Sequence, residues 1–211
     1  MKKIFIASIT IIALMLNSCD PAATFDKPQP DKQKPLTSFP KRTQGNYLSK
    51  DESSILTISD KLLTRHFDYE YKEHKDSIIQ FYKLNGDTII SKRDGVKEKV
   101  IVVGDTVIRH ANLTDTLFYI SEDNLLNKFK GYYFLNKHLS NNTWEVNKLS
   151  LQNGVLTYGI ISEGDDIKRL NEITESSADT TSKHFDLTRK QFKKFIKQGG
   201  FSEEEKFDRI R

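Results

Sequence analysis

Short segments in which hydrophobic and polar residues alternate dominate the chain from residue 45 onward, and turn residues separate them. In the segment HFDYEYK, Phe67, Tyr69 and Tyr71 alternate with polar residues, the period of two that is typical of a strand with one buried face. Further strand-like segments end at pairs that favour tight turns, namely Asn85-Gly86, Asp94-Gly95, Gly104-Asp105 and Asn153-Gly154. The pattern predicts a mainly β (α+β) fold, an antiparallel meander that forms a barrel or a sandwich.

A short helix is predicted in the middle of the chain. Ser121 is in the position of an N-cap, and Gly131 would end the helix. Between them, Leu125, Leu126 and Phe129 have the spacing of one helix face. The segment SIIQFYKL, residues 77–84, is predicted instead as a strand that leads into the turn at Asn85-Gly86.

A second helix is predicted near the C terminus. Thr188 and Gln191 have the spacing of a capping box, and Phe192 and Phe195 lie on the same side of the helix that would follow. The pair Gly199-Gly200 would end this helix. Residues 201–207 predict one or two further helical turns.

The first 18 residues have the pattern of a secretory signal. Lys2 and Lys3 precede an unbroken apolar segment from Ile4 to Leu16. As a helix, this segment would cover about 20 Å, which is less than the roughly 30 Å of a hydrocarbon core. A cleaved leader over residues 1–18 is therefore predicted rather than a stable membrane span.

The chain has one cysteine, and it stands directly after this leader. The segment Leu16-Asn17-Ser18-Cys19 resembles the lipobox of bacterial lipoproteins, with an aliphatic residue three positions before the cysteine and a small residue immediately before it. The resemblance implies cleavage before Cys19 and acyl chains on its Sγ atom and its new amino group, and two or more chains hold a protein durably at a membrane. The alternative is a free or buried cysteine near a cleaved leader. A single cysteine excludes an internal disulfide and a cysteine-rich zinc site.

The composition of residues 19–44 differs from that of the rest of the chain. All five prolines lie between positions 21 and 40, and no glycine precedes Gly45. This composition predicts an extended, poorly packed tether stiffened by polyproline geometry. Residues 45–211 are then predicted to form a single β-rich globular domain.

A resemblance to a known group rests on the segment from Ser121 to Ile161. Its sequences NLLNKFKGYYFLNK and TWEVNKLSLQNGVLT are similar to uncharacterised lipoproteins of Bacteroidetes, flavobacteria in particular. The resemblance implies a lipid-anchored protein of the cell envelope, held at the cell membrane or outer membrane on its periplasmic face or at the cell surface. The segment carries no motif of known chemical role.

The same resemblance implies candidate modification sites. Periplasmic O-glycosylation in that phylum uses Asp, then Ser or Thr, then an aliphatic residue or Thr. The alternative is that these tripeptides begin hairpin strands, because Asp-Thr after a turn followed by a β-branched residue is a common strand start. The acceptors that fit the pattern are Ser77, Thr88, Thr106, Thr116 and Thr180.

Composition and the absence of known motifs argue against several classes of binding and catalytic site. The net charge of +4 comes from Lys, Arg and acidic residues interleaved along the chain, which is typical of a solvated surface and not of a nucleic-acid interface. No phosphate-binding glycine loop, nucleophile elbow or paired-histidine zinc helix is present. His66, Asp68 and Glu70 are weak candidates for a metal site, since neighbouring side chains on one strand face are about 6.6 Å apart. We expect no metal and no cofactor.

Two pairs of residues could act as acid and base, Asp105 with His110 and His184 with Asp186. We expect no convergent site of histidines and carboxylates, and we predict non-enzymatic binding or scaffolding, with an envelope protein or an apolar ligand as partner. One alternative is a lipocalin-like carrier of an apolar ligand, and another is a metal-dependent or acid–base hydrolase. The aromatic residues that could line an apolar cavity, where a filled core is the competing expectation, are Phe81, Tyr119, Phe134, Trp144 and Tyr158.

Overall fold

The computed structural model describes residues 21–51, 53–174 and 183–210. Residues 1–18, the lipobox with Cys19, and Thr180 lie outside the described residues, and so does most of the polar segment 174–183. Strands dominate the part of the chain that is described, so the prediction of a mainly β fold with a C-terminal helix is confirmed. The described strands do not close into a barrel.

The secondary-structure elements are numbered here in chain order. A 3-10 turn, Lys41–Thr43, precedes the second strand. The strands and helices are β1 (Thr24–Phe25), β2 (Gly45–Ser49), β3 (Ser54–Ile58), β4 (Leu62–His74), α1 (Lys75–Phe81), β5 (Tyr82–Asn85), β6 (Thr88–Ser91), β7 (Lys97–Lys99), β8 (Ile101–Val103), β9 (Thr106–Tyr119), β10 (Asn124–Phe129), β11 (Tyr132–His138), β12 (Trp144–Gln152), β13 (Val155–Ile160), α2 (Asp165–Thr174), β14 (His184–Phe185), α3 (Arg189–Lys197) and β15 (Glu203–Arg209).

The described residues form two compact units, where the sequence predicts one domain. Residues 21–36, 121–150, 157–174 and 183–205 belong to the first unit. Residues 37–51, 53–120, 151–156 and 206–210 belong to the second.

In the first unit, strands lie in the order β10-β11-β12-β13-β15, and α2 and α3 contribute to its core. β1 pairs antiparallel with β12 and parallel with β14. The core is rich in phenylalanine: the ring of Phe134 lies 4.9 Å from that of Phe192 and 5.8 Å from that of Phe201, measured between centroids. Such tilted and edge-on contacts are the arrangements that aromatic rings prefer.

The predicted C-terminal helix is present as α3, and its start is fixed as the sequence indicates. The hydroxyl of Thr188 accepts a hydrogen bond from the backbone N–H of Gln191, and the side chain of Gln191 accepts one from the backbone N–H of Thr188. Phe192 and Phe195 are fully buried on the inner side of the helix. The capping box and the apolar stripe therefore act together.

In the second unit, the strand order is β15-β2-β3-β4-β9-β8, and β5, β6 and β7 form a separate three-stranded sheet. β4 and β9 are unusually long, with 13 and 14 residues. β3 pairs with residues 63–67 of β4, and β8 pairs with residues 106–108 of β9. Among the described strands, residues 68–71 and 109–112 therefore pair only with each other, and we call this part of β4 and β9 the ribbon.

The tight turns are placed where the sequence predicts them. Asn85 pairs with Thr88, which leaves Gly86 and Asp87 as a two-residue hairpin turn. Asn153 and Gly154 separate β12 from β13 with φ angles of 51° and 82°. Both angles are positive, as a type I′ turn requires, and Asn followed by Gly is the pair that adopts this turn most readily.

The prediction of a mid-chain helix at residues 121–131 is wrong, because residues 124–129 form β10. All six of its residues pair with β11. Leu126 is fully buried and forms a further bridge to Leu36. Leu125, Leu126 and Phe129 satisfy a helical spacing, but pairing along a whole neighbouring strand overrides that local preference.

Two other segments also differ from the predictions. Residues 75–81 form α1 instead of a strand, with His74 as the N-cap that accepts a hydrogen bond from the backbone N–H of Asp76. Only Ile78 of this helix is buried, so the apolar residues of the segment do not all face one core. Residues 203–209 form β15 instead of helical turns, and residues 207–209 of this strand pair with residues 47–49 of β2.

The structure also differs from the prediction of a loosely packed tether at residues 19–44. From residue 21 onward the chain is packed: Ala23, Phe25, Gln29 and Phe39 are almost entirely buried, with at most 2% of their surface exposed. Proline stiffness and burial are compatible, because a stiff segment loses less conformational entropy when it packs.

None of the described helices is long and apolar enough to cross a membrane.

Candidate functional site

An open cleft of about 780 Å³ lies in the second unit, between the end of β4, helix α1, the small sheet and β9. Its base is polar and its rim is partly apolar. The residues that matter most for its chemistry are Glu73, Phe81, Tyr82, Val96, Glu98 and Arg109.

Arg109 of β9 is held at the base of the cleft by two carboxylates. Its side chain is only 11% exposed. The Nε and Nη2 atoms donate to the two carboxylate oxygens of Glu98 at 3.0 and 2.6 Å, and Nη1 donates to Glu73 at 3.1 Å. A paired fork of this kind is the strongest arrangement that arginine makes with a carboxylate.

Two tyrosine rings enclose the same guanidinium. The Cζ atom of Arg109 lies 5.1 Å from the ring centroid of Tyr71 and 4.7 Å from that of Tyr82. The hydrogen bonds to Glu98, Tyr82 and Glu73 outweigh partial burial and raise the pKa of Arg109 further above its usual value, so it stays charged. Burial also raises the pKa of the Tyr71 hydroxyl, which stays neutral at physiological pH.

The rim of the cleft carries exposed apolar side chains. Phe81 is 68% exposed and Val96 is 63% exposed. Lys92 contributes a cation nearby, and its Nζ donates to the carbonyl oxygen of Ile79 at 2.5 Å. A partner molecule in this cleft would meet aromatic and aliphatic surface at the rim and fixed charges at the base.

A row of apolar side chains begins at Phe67 and Leu113, just outside the ribbon, and leads along the ribbon toward the cleft. The strand register places Phe67, Tyr69 and Tyr71 of β4 opposite Leu113, Ala111 and Arg109 of β9 on one face. Tyr69 is 47% exposed and Leu113 is 53% exposed, and the rings of Tyr69 and Tyr71 are 5.9 Å apart. We call Phe67, Tyr69, Tyr71, Ala111 and Leu113 the aromatic row. The alternation in β4 predicts a buried face, whereas the structure leaves this face half-exposed.

The weak metal candidates lie on the opposite face of the ribbon. His66 Nδ1 is 3.0 Å from the hydroxyl of Thr114, and Glu70 lies 3.6 Å from Lys72 and 3.8 Å from His110. Asp68 is exposed on the same face. Over the ranges that the structure describes, no three His, Cys, Asp or Glu side chains come together in a way that could hold a metal ion.

In the candidate acid–base pair of His184 and Asp186, each residue contacts another ionisable side chain. His184 Nε2 lies 2.5 Å from Asp26, while Asp186 forms an ion pair with Lys27 at 2.8 Å. Thr24 Oγ1 is 3.0 Å from the other ring nitrogen of His184, which completes a Thr24–His184–Asp26 chain. The sequence gives no signal for this group of three side chains, because 158 positions separate His184 from Asp26.

The other candidate pair, Asp105 and His110, lies five positions apart at and beyond the start of β9. Asp105 is in the turn before β9, where its carbonyl oxygen accepts a hydrogen bond from the backbone N–H of Lys75. His110 lies in β9 opposite Glu70. Their separation along β9 leaves them without a shared hydrogen bond among the described contacts.

The five aromatic residues that could line an apolar cavity differ widely in burial. Phe81 and Tyr119 are 68% and 50% exposed, while Phe134 is fully buried in the core of the first unit. Trp144 and Tyr158 are partly buried. These five residues therefore do not share one apolar lining.

The four described glycosylation candidates differ in accessibility. Ser77, on α1, and Thr116, on β9, are exposed. Thr88 and Thr106 are partly buried at the starts of β6 and β9. In addition, the hydroxyl of Thr88 donates to Asp87 at 3.0 Å, as expected for a hairpin strand start.

Comparison with known proteins adds no family: the chain matches no protein-family model, no curated protein and no solved structure at a significant level. The chemistry of the cleft and of the aromatic row therefore carries the functional inference.

Proposed function

We propose that the mature chain is a lipid-anchored protein of the cell envelope that binds a partner through the aromatic row and the adjoining cleft. The lipobox resemblance at residues 16–19 supports the anchor. The anchor would lie in the cell membrane or the outer membrane. The partner would be another envelope molecule, and binding would require no cofactor.

The exposed aromatic row is the observation that carries the binding function. Tyr69 and Leu113 are about half exposed on a strand pair whose sequence alternates as if this face were buried. Contiguous exposed apolar surface is typical of interaction sites. Tyrosine contributes large contact area at low conformational cost, because its side chain has only two rotatable bonds to fix.

The charged groups of the cleft favour binding over hydrolysis. A catalytic acid or base needs a side chain that can exchange a proton with a substrate. In this cleft, Glu73 and Glu98 are both engaged by Arg109, whose guanidinium is fixed by four polar contacts and two rings. The arrangement supports a rigid base against which a partner can dock.

The anchor is tested by intact mass spectrometry of the mature protein purified from its native host. We expect a chain that begins at Cys19 and carries the added mass of its acyl chains. A Cys19→Ser variant should lose that mass and leave the membrane fraction. Recovery of a chain with an unmodified thiol, or one that retains residues 1–18, would contradict the anchor.

The binding surface is tested by a photo-crosslinking amino acid placed at Tyr69 in cells. The matched control places the same amino acid at Asp68, the next residue, whose side chain points to the opposite face of the ribbon. We expect a discrete adduct from position 69 only, and we expect Leu113→Ser, in the same row, to weaken it. Equal adducts at the two positions, or an adduct that survives Leu113→Ser unchanged, would refute this surface.

The identified partner is then purified, and its affinity for the unaltered protein is measured directly. Tyr69→Ser should lower the affinity about tenfold or more, as loss of a central tyrosine often does. The Asp68→Ser variant serves as the control and should bind within about twofold of the unaltered protein, because rim and off-surface positions contribute little.

A further inference from the structure

The position of the membrane relative to the first unit follows from how its N-terminal segment packs. Phe25 is fully buried and Ala23 is 2% exposed. Within β1, Phe25 pairs with Trp144 of β12, and Thr24 pairs with His184 of β14. The chain is therefore part of the fold only a few residues after Cys19.

Side-chain contacts reinforce this packing. The Thr24–His184–Asp26 chain joins β1 to β14 through contacts of 3.0 and 2.5 Å. Lys27 and Asp186 add an ion pair at 2.8 Å. These contacts fix residues 24–27 at both the backbone and the side-chain level.

Covalent geometry then limits the distance to the lipid. Cys19 precedes Pro21 by two residues. Consecutive Cα atoms are about 3.8 Å apart, so the Cα atoms of Cys19 and Pro21 are separated by at most about 7.6 Å. With the acylation proposed above, the acyl chains on Cys19 would insert into the bilayer and bring Pro21 to within a few ångströms of the lipid headgroups.

We propose that the surface of the first unit around Pro21 lies directly against the lipid headgroups, with no flexible linker between the acylated cysteine and the first unit. This inference rests on the proposed acylation of Cys19. An open cleft of about 570 Å³ borders this surface. We call the surface the Pro21 face, formed by Pro21, Leu139, Ser140, Asn141, Lys183 and His184.

The chemistry of the Pro21 face fits a headgroup layer. Ser140 and Asn141 are exposed polar residues at the tip of the β11–β12 hairpin, and both can form hydrogen bonds with headgroups. Lys183 forms an ion pair with Glu163 at 2.8 Å, and His184 is paired with Asp26. Because positive and negative groups offset each other, the covalent anchor rather than charge attraction holds this face at the membrane.

The test places a fluorophore at two positions of the acylated full chain. Cys19 is the chain's single cysteine, so after acylation an introduced cysteine is the sole thiol that reacts with the dye. Asn141→Cys labels the Pro21 face. The matched control, Lys130→Cys, labels the opposite end of β11, a strand of seven residues.

Both proteins are bound to phosphatidylcholine vesicles that contain a nitroxide on the lipid headgroup. We expect the label at position 141 to be quenched at least about threefold more than the label at 130, because roughly 23 Å of strand separate the two. Replacing a third of the lipid with an anionic phospholipid, or adding salt, should leave this ratio unchanged.

A linker variant and a check of the acylation keep the outcomes distinct. Inserting about twelve Gly and Ser residues between Asp20 and Pro21 should bring the two labels to equal quenching, because a flexible linker releases the body. If acylated, vesicle-bound protein without the insertion already shows equal quenching, the Pro21 face is refuted and the anchor stands. If Cys19 carries no acyl mass and the protein does not float with the vesicles, both proposals fall.

Discussion

Arg109 and Glu98 are joined by two hydrogen bonds, Nε to Oε1 at 3.0 Å and Nη2 to Oε2 at 2.6 Å. Glu98 belongs to β7 of the small sheet, and Arg109 belongs to β9 of the ribbon. The pair therefore fixes the small sheet beside the ribbon and gives the cleft its shape. Only arginine can supply this fork, because lysine offers a single charged nitrogen.

Replacing Arg109 should loosen the second unit. We expect Arg109→Ala to lower the free energy of unfolding by about 2–3 kcal/mol, because Glu98 and Glu73 would remain partly buried without their partner. Arg109→Lys should recover part of the loss. Urea unfolding measures both changes.

The matched control is Arg93→Ala. Arg93 lines the same cleft, but its side chain is 92% exposed and its contact with Asp94 is a surface pair. We expect a change of less than about 0.5 kcal/mol. If Arg109→Ala, like Arg93→Ala, unfolds at the same urea concentration as the unaltered protein, the pair of Arg109 and Glu98 has no structural role.

Asn136 should hold the N-terminal segment against the first unit. Its side chain accepts a hydrogen bond from the backbone N–H of Gln29 at 2.5 Å and donates to the carbonyl oxygen of Gln29 at 3.0 Å. Asn136→Ala removes the side-chain acceptor of the buried Gln29 N–H, while the carbonyl oxygen of Gln29 keeps its hydrogen bond from the Asn127 amide at 3.0 Å. We expect a loss of about 1–3 kcal/mol and faster cleavage by a lysine-specific protease at Lys32 and Lys34, both exposed.

Asn147→Ala is the control for this change. Asn147 lies on the neighbouring strand β12, is only partly buried, and its amide donates to the nearby Glu145. Its removal should leave the cleavage rate within about twofold of the original, because no backbone group of the N-terminal segment depends on it. Equal acceleration in the two variants would show that Asn136 has no special role in holding this segment.

The features that were predictable from sequence have local causes. The turn at Asn153-Gly154 needs positive φ angles at adjacent residues, and the start of α3 needs a threonine and a glutamine three positions apart. Each requirement involves residues within one turn of each other. The strand alternation of β4 is local too, and the strand itself is present.

The features that were missed depend on contacts far apart in sequence. Residues 124–129 form a strand because they pair with β11, and Leu126 also pairs with Leu36. Residues 21–30 are packed because they contact β12, β14 and Asn136. At the site, Arg109 gives no signal in its own neighbourhood. Glu73 and Tyr82 lie 36 and 27 positions away from it, so no short motif could have indicated the cluster.

Glycosylation should follow accessibility if it occurs in the native host. Ser77 and Thr116 are exposed, whereas Thr88 and Thr106 are partly buried at strand starts. We expect the Ser77→Ala and Thr116→Ala variants each to lose a discrete glycan mass, and the Thr88→Ala variant to lose none. An intact mass that contains only the chain and its acyl groups would exclude modification at all of these positions.

Gly200 is predicted to be the least tolerant glycine of the first unit, for a steric reason. A Cβ atom at position 200 would lie 2.5–2.7 Å from three ring atoms of Phe195, and Phe195 is fully buried in the core. The ring cannot move without disturbing its contact with Phe201, whose centroid is 5.3 Å away. We expect Gly200→Ala to cost about 1–3 kcal/mol, as forced repacking of a core does. Gly164→Ala is the matched control: nothing lies within 4 Å of its Cβ position, and a change without a steric clash should cost less than about 1 kcal/mol. Thermal unfolding of the two variants side by side decides the matter, and an equal shift in both would mean that Phe195 has room to move.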